Sequence, residues 1–224
     1  MRYIVTGTSR GLGFCLAKEL VNHGQVLGVS RSIGAASALS SMENFSHFSL
    51  DLSIDWSSEL FQTVSTYLDE FVRDDQFALI LNAASFYSGF ERLDQSALRE
   101  LFNINFFSSF RLVNWAKDLN LRRVLIINSI SGLIGQESQH EYSASKHALM
   151  GLARSLSKAA KNSNYDVMCI NPGGIKTDLW SSVHDTDSSD FLCPESLAKV
   201  CLGLLLIPDR AFIENFVILP AVDV

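Results

Sequence analysis

Tyr3-Ile4-Val5-Thr6-Gly7-Thr8-Ser9-Arg10-Gly11-Leu12-Gly13 decides the fold. A short apolar run meets a glycine at once, and an amphipathic pattern of helical spacing then runs from Gly11 to about His23. Glycines between a strand and a helix let the chain turn sharply and let a phosphate approach the backbone. The helix N-terminus adds free N–H groups and a positive dipole end. A glycine pattern alone is weak evidence; its place directly after the first strand gives it weight. Gly7-Thr8-Ser9-Arg10-Gly11 also fits G-x-S-x-G, the elbow that presents a nucleophilic serine in hydrolases. That elbow needs an oxyanion donor from an earlier strand–helix loop. Only eight residues precede Ser9, so a phosphate-binding turn is expected instead.

Outward from this turn, strand-length apolar runs alternate with helical patterns. Strands are expected at Gln25–Ser30, Phe45–Leu50, Phe77–Leu81, Arg123–Ile127, Asp166–Ile170 and Phe212–Leu219. Helices are expected from Ser57 to about Val72, from Asp94 to Lys117, from Glu141 to about Lys161 and over Pro194–Leu206. In the third of the five helical patterns, Asp94 is the expected N-cap, and Leu98, Leu101, Ile104 and Phe107 share one stripe. Strands that are apolar throughout, alternating with helices, imply a parallel sheet covered on both faces.

The composition agrees with one packed domain over residues 1–224. Of the 224 residues, 47% are hydrophobic and 19% charged, too apolar for a disordered chain. A net charge of −6 argues against a broad nucleic-acid footprint. No apolar run has the length of a secretory signal or a membrane span, so a soluble cytoplasmic protein is expected. Cys15, Cys169, Cys193 and Cys201 form no C-x-x-C pair and read as buried thiols in a reducing compartment. The five histidines lack close ligand spacing, so no metal is expected; His140 is a candidate for lining the site through its nearness to Tyr142.

Taken together, the chain resembles the short-chain dehydrogenase/reductase family over essentially its whole length. The turn is similar to that family's T-G-x-x-x-G-x-G. Asn82-Ala83-Ala84 resembles N-N-A-G, with Leu81 in place of the first Asn and Ala84 in place of the Gly. Asn105 matches the family's helix asparagine, with Asn103 as a nearby competitor. Ser129, Tyr142 and Lys146 match the catalytic Ser and Y-x-x-x-K, with Ser131 as competitor to Ser129. Asn171-Pro172-Gly173-Gly174 and then Thr177 match the segment beside the nicotinamide. The resemblance implies a single α/β Rossmann-type domain, a doubly wound parallel sheet of about seven strands. It also implies a cofactor site at Gly7, Ser9, Arg10, Gly11, Leu12, Gly13, Arg31, Asp51, Leu52, Asn82, Ala83, Ala84, Tyr142, Lys146, Pro172, Gly173, Ile175 and Thr177.

Tyr142 and Lys146 lie four apart on a predicted helix and share a face. A phenol with an unperturbed pKa of about 10 is a poor acid–base catalyst near neutrality, and a neighbouring ammonium is expected to lower it. Tyr142 would then give a proton to a carbonyl oxygen or take one from an alcohol. Ser129 follows the fifth strand, at the carboxyl end where open parallel sheets bind ligands, and would hydrogen-bond the substrate oxygen. By resemblance Lys146 also binds the nicotinamide ribose, and Asn105 holds a water that links Lys146 to solvent.

The second strand ends Val29-Ser30-Arg31-Ser32 without the carboxylate that holds an adenosine 2′-hydroxyl. Arg31 and Arg10 suit a 2′-phosphate, since the guanidinium fork matches that anion. NADP is therefore the expected cofactor, with Asp51 beside the adenine by resemblance. Phe86, Tyr87, Phe90 and Trp180 are expected to flank a cleft for an apolar or aromatic carbonyl substrate. The polar segment 177–194 would form a short lid. The resemblance also implies a homodimer or homotetramer, to which Leu149, Leu152 and Leu156 could contribute. NADPH-dependent carbonyl reduction is the leading expectation. Oxidative NAD(P)-dependent alcohol dehydrogenation and a non-catalytic NADP-binding regulator are the alternatives.

Overall fold

The computed structural model describes residues 1–87, 93–180, 190–208, 213 and 215–221, with Trp180 by its backbone alone. Among them, β1 (Arg2–Thr6), β2 (Gln25–Ser30), β3 (Phe45–Ser49), β4 (Phe77–Leu81), β5 (Leu121–Ile127), β6 (Asp166–Pro172) and β7 (Phe216–Ile218) form one sheet. All pairs are parallel, in the order β3-β2-β1-β4-β5-β6-β7. The chain reverses its direction of travel between β1 and β4. Ligands of open α/β sheets bind at such a switch point, outside the carboxyl ends of the strands.

Alternate residues of each strand face opposite helical layers. Ile4 points to the layer of α2 (Ser58–Val72), α4 (Ser108–Ala116) and α5 (His140–Ala160), where Val64, Leu68, Leu112 and Leu149 are buried. Tyr3 and Val5 point to α1 (Gly11–Leu20) and α6 (Pro194–Leu205), against Leu16, Leu20 and Cys201. Both strand faces being covered explains the unbroken apolar runs. Leu149 is core, and Leu152 and Leu156 pack against it.

Four expectations need correction. The helical pattern from Asp94 to Lys117 divides into α3 (Gln95–Phe102), a π-helical turn at Asn103–Phe107, and α4. Asp94 caps it as expected, accepting from Ala97 N–H at 2.8 Å. The wider π turn shifts the register of the stripe, so Phe107 is 40% exposed while Ser108 and Ser109 are buried. The last strand pairs only through Phe216–Ile218, and Phe212 lies outside the described residues. Cys193 is exposed, because it precedes α6 on the surface; the other three thiols are buried. His140 is exposed at the start of α5 and does not line the cleft. No group of His, Cys, Asp and Glu among the described residues could hold a metal. No described helix is long and apolar enough to cross a membrane.

Candidate active site

A cleft of about 900 Å³ opens at the carboxyl ends of the strands. Its floor is the glycine turn. Gly7 and Gly11 have φ of +76° and +57°, a region that favours glycine. A Cβ on Gly13 would stand 2.1 Å from the Gly7 carbonyl oxygen, so only glycine lets α1 start this close to the turn. A Cβ on Gly11 would meet Thr177 Cγ2 at 3.0 Å, so the turn and the segment after β6 meet across the cleft. No side chain caps α1 and no acidic residue lies in its first turn, which suits its N-terminus to a phosphate.

Thr6 and Asn82 join the ends of the two switch-point strands. The Thr6 hydroxyl accepts from Asn82 and Ala83 N–H at 2.9 and 3.0 Å. Asn82 Nδ2 donates to the Thr6 carbonyl at 2.9 Å. Asn82 therefore braces the turn as well as lining the cleft. The sequence pattern marked Asn82 but carried no sign of Thr6 as its partner.

Ser129, Tyr142 and Lys146 converge on this cleft. Ser129 lies just past β5, and its Oγ accepts from Ser131 N–H at 3.1 Å. Ser131 Oγ instead donates to Gln139 Oε1 at 3.2 Å. Tyr142 and Lys146 are one turn apart on α5, with Lys146 Nζ 5.8 Å from the centre of the Tyr142 ring. The expected lowering of the Tyr142 pKa is not what this arrangement produces. Burial pushes the phenol up to about 12, against a hydrogen bond with Ser129 that pulls it down. Lys146 is also buried, which depresses its amine to about 8; its Nζ donates to the Ile127 carbonyl at 3.4 Å. By the pH at which the phenol titrates, the Lys146 amine has already lost its proton, so it lends the phenol no positive charge.

Asn105 is fully buried in the π turn and does not line the cleft. Its Nδ2 donates to the Ser85 carbonyl and to Ser145 Oγ, both at 2.9 Å, and its Oδ1 accepts from Ser85 N–H at 2.8 Å. Its side chain is thus committed to fixing the loop that leaves β4. Asn103, the competing residue, donates to the Ser53 carbonyl instead. Ser145 Oγ in turn donates to the Tyr142 carbonyl, so Asn105 supports the backbone that carries Tyr142.

At the other end of the cleft, Ser9, Arg10, Leu12, Arg31, Asp51 and Leu52 line the wall. Burial raises the Asp51 pKa, but two hydrogen bonds from Ser53 and the charge of Arg31 outweigh it and leave it lowered. Ala84, Pro172, Gly173 and Ile175 complete the lining toward Tyr142. Every expected cofactor residue therefore borders one space, and the glycine cradle fits the diphosphate of a dinucleotide. The lining residues that went unmarked in the sequence include Gly34, where a Cβ would sit 2.3 Å from the Ser9 carbonyl oxygen, and Phe191, whose ring covers Gly174.

The expected aromatic wall is revised. Phe86 meets Tyr142 edge-on, with ring centroids 4.8 Å apart, and is buried. Tyr87 is not part of the lining, while Phe90 and the Trp180 ring lie outside what is described. The apolar side of the cleft is Ile130, Ile134, Leu179 and Phe191, joined by the amides of Gln136 and Gln139. Of the expected lid, residues 181–189 lie outside the described residues. Its base is held where Lys176 N–H donates to Leu192 O and Leu192 N–H to Gly174 O.

Residues 2–188 match the short chain dehydrogenase family. The chain is 30% identical over 220 residues to the 3-oxoacyl-[acyl-carrier-protein] reductase FabG of Chlamydia trachomatis, covering 90% of this chain and 88% of that protein. It is 26% identical over 195 residues to FabG of Escherichia coli K12, covering 84% and 79%. Among solved structures, an alcohol dehydrogenase of the archaeon Thermococcus sibiricus complexed with 5-hydroxy-NADP superposes with a TM-score of 0.84 at 20% identity, covering 98% of this chain and 96% of that one. A variant of actinorhodin polyketide ketoreductase with NADPH superposes with a TM-score of 0.82 at 18% identity, covering 98% and 95%. The family match spans most of the chain and the fold is shared with these structures, so the protein belongs to the short-chain dehydrogenase family, an oxidoreductase that moves a hydride between a nicotinamide cofactor and a carbonyl–alcohol pair.

Proposed function

We propose that the protein is an NADPH-dependent carbonyl reductase with Ser129, Tyr142 and Lys146 as its catalytic residues. The observation that carries this reading is their convergence on one cleft whose far end is lined by Arg10 and Arg31. The nicotinamide supplies the hydride when bound, and the protein's residues handle the proton and the oxygen. Ser129 and Tyr142 hydrogen-bond the substrate oxygen, and the buried phenol gives its proton as the carbonyl becomes an alkoxide. A phenol held protonated by burial is in the form that donates to a carbonyl oxygen.

Lys146 holds the ribose and returns a proton to Tyr142. In this reading the water relay past Asn105 runs along its main chain, because its side-chain amide is already bonded. Arg31 and Arg10 take the 2′-phosphate, with Ser30 and Ser32 beside them. The match to 3-oxoacyl-[acyl-carrier-protein] reductases makes 3-oxoacyl thioesters the first substrates to try, ahead of simple ketones and aldehydes. Ile130, Ile134, Leu179 and Phe191 suit an apolar chain next to the carbonyl.

A homo-oligomer in the cytoplasm completes the proposal. Phe107 and Phe110, 40% and 44% exposed near Phe106, support a subunit contact on that face. Incubating the protein with NADPH and a panel of 3-oxoacyl thioesters, ketones and aldehydes, and following absorbance of the reduced cofactor, tests the reading. Consumption with at least one carbonyl class is expected; none across the panel contradicts it.

A further inference from the structure

The turn that carries Arg31 is held from a strand that contributes nothing to the expected cofactor set. Ser30 Oγ, at the end of β2, has three partners: the Ser32 carbonyl at 2.8 Å, His47 Nε2 at 3.0 Å and Thr8 Oγ1 at 3.4 Å. A serine hydroxyl has one proton. The Ser32 carbonyl can only accept, so that proton goes to it, and both His47 Nε2 and Thr8 Oγ1 must donate to Ser30. The Ser30 and Ser32 carbonyls also face the imidazole, while burial lowers its pKa and favours the neutral ring. His47 thus carries its proton on Nε2, directed at the turn.

A second tie comes from the same strand. Ser49 lies two residues beyond His47 in β3, on the same side of the strand, and its Oγ donates to the Arg31 carbonyl at 2.9 Å. The carbonyls of Arg31 and Ser32 are therefore both tethered, one by Ser49 directly and the other through Ser30. Gly28 makes room for the third member of the network: a Cβ there would stand 2.5 Å from Thr8 Oγ1. Thr8 links the assembly to the glycine turn. Arg31 itself is exposed, so fixing its backbone, together with the nearby charge of Asp51, is what directs its long side chain.

We propose that His47 is a positioning residue for cofactor selectivity: by donating to Ser30 it fixes the Arg31–Ser32 turn that receives the 2′-phosphate. This rests on the NADPH reading above. His47 does not itself line the cleft, and it acts through Ser30.

The test is fluorescence titration of the full-length protein with NADPH and with NADH, for the wild type, His47→Leu, His47→Gln and Arg31→Ala. The readout is the ratio of the two dissociation constants. His47→Leu should lower the preference for NADPH by about threefold to tenfold, the worth of one hydrogen bond. His47→Gln, whose Nε2 offers a donor at similar reach, should keep it within about twofold of wild type. If His47→Leu does not fold, His47→Asn replaces it, since its shorter amide cannot reach Ser30. An unchanged ratio, an equal loss for both cofactors, or failure of His47→Gln to rescue overturns the proposal. Arg31→Ala separates the two levels. If it leaves the ratio unchanged, the NADPH reading fails and this inference with it. If Arg31→Ala lowers the ratio and His47→Leu does not, only the role of His47 fails.

Discussion

Lys146 Nζ lies 5.8 Å from the centre of the Tyr142 ring and bonds to the Ile127 carbonyl, with both side chains buried. Their ionisation follows from that burial and sets a pH dependence of stability. The Lys146 amine titrates near 8 in the folded protein, below its ordinary 10.5. Between these values the unfolded chain holds a proton that the folded one has released, so the contribution of Lys146 to stability rises with pH across the window. Tyr142 titrates near 12 instead of 10. There the folded chain keeps the proton, so stability falls as pH rises through that interval. Burial also raises the thiols of Cys15, Cys169 and Cys201, which pull stability down above about pH 9, so the Lys146 contribution is read as a difference: the urea midpoint of the wild type relative to that of Lys146→Met should climb from pH 7 to 10.5. A difference between the two midpoints that stays flat or falls over this range would contradict the account of Lys146.

Arg31→Ala should weaken NADPH binding by about tenfold to a hundredfold, the range for hydrogen bonds to a charged group, with a much smaller effect on NADH. Fluorescence titration reads both constants. Equal effects on the two cofactors would place Arg31 outside phosphate recognition.

Arg123 is a buried cation at the amino end of β5, away from the cleft. Its guanidinium donates to the carbonyls of Leu204, Leu205 and Ile207 at the end of α6 and bridges to Asp166 at 2.8 Å. Arg123→Met leaves those carbonyls and the carboxylate without their donor. A loss of about 3 kcal/mol is expected. For a chain of this size that lowers Tm by about 6–12 °C. KM for NADPH should stay within about twofold of wild type. Thermal unfolding with parallel kinetics checks both.

The convergence of the candidate catalytic residues on one cleft is legible because it is written locally. Ser129, Tyr142 and Lys146 lie within a short stretch, and the strand, turn and helix that deliver them follow each other directly. The glycine turn was legible for the same reason. Contacts made by distant residues were not. Nothing around Asn82 announces that the Thr6 hydroxyl will bond its N–H, and nothing around Ser30 announces His47. The π turn at Asn103–Phe107 was hidden because its sequence keeps an ordinary helical stripe until the wider turn shifts Phe107 into solvent. The Tyr142 pKa was misjudged because spacing on a helix reports that Lys146 is near, but not that both groups are buried.

The central claim is that Tyr142 is the proton donor. Tyr142→Phe removes one oxygen from a buried ring and leaves the packing against Phe86 in place. Its rate of NADPH oxidation, measured with a carbonyl substrate that the wild type reduces, should fall by at least about a hundredfold. NADPH binding by fluorescence should stay within a few-fold of wild type. A Tyr142→Phe protein that turns over at close to the wild-type rate would contradict the assignment.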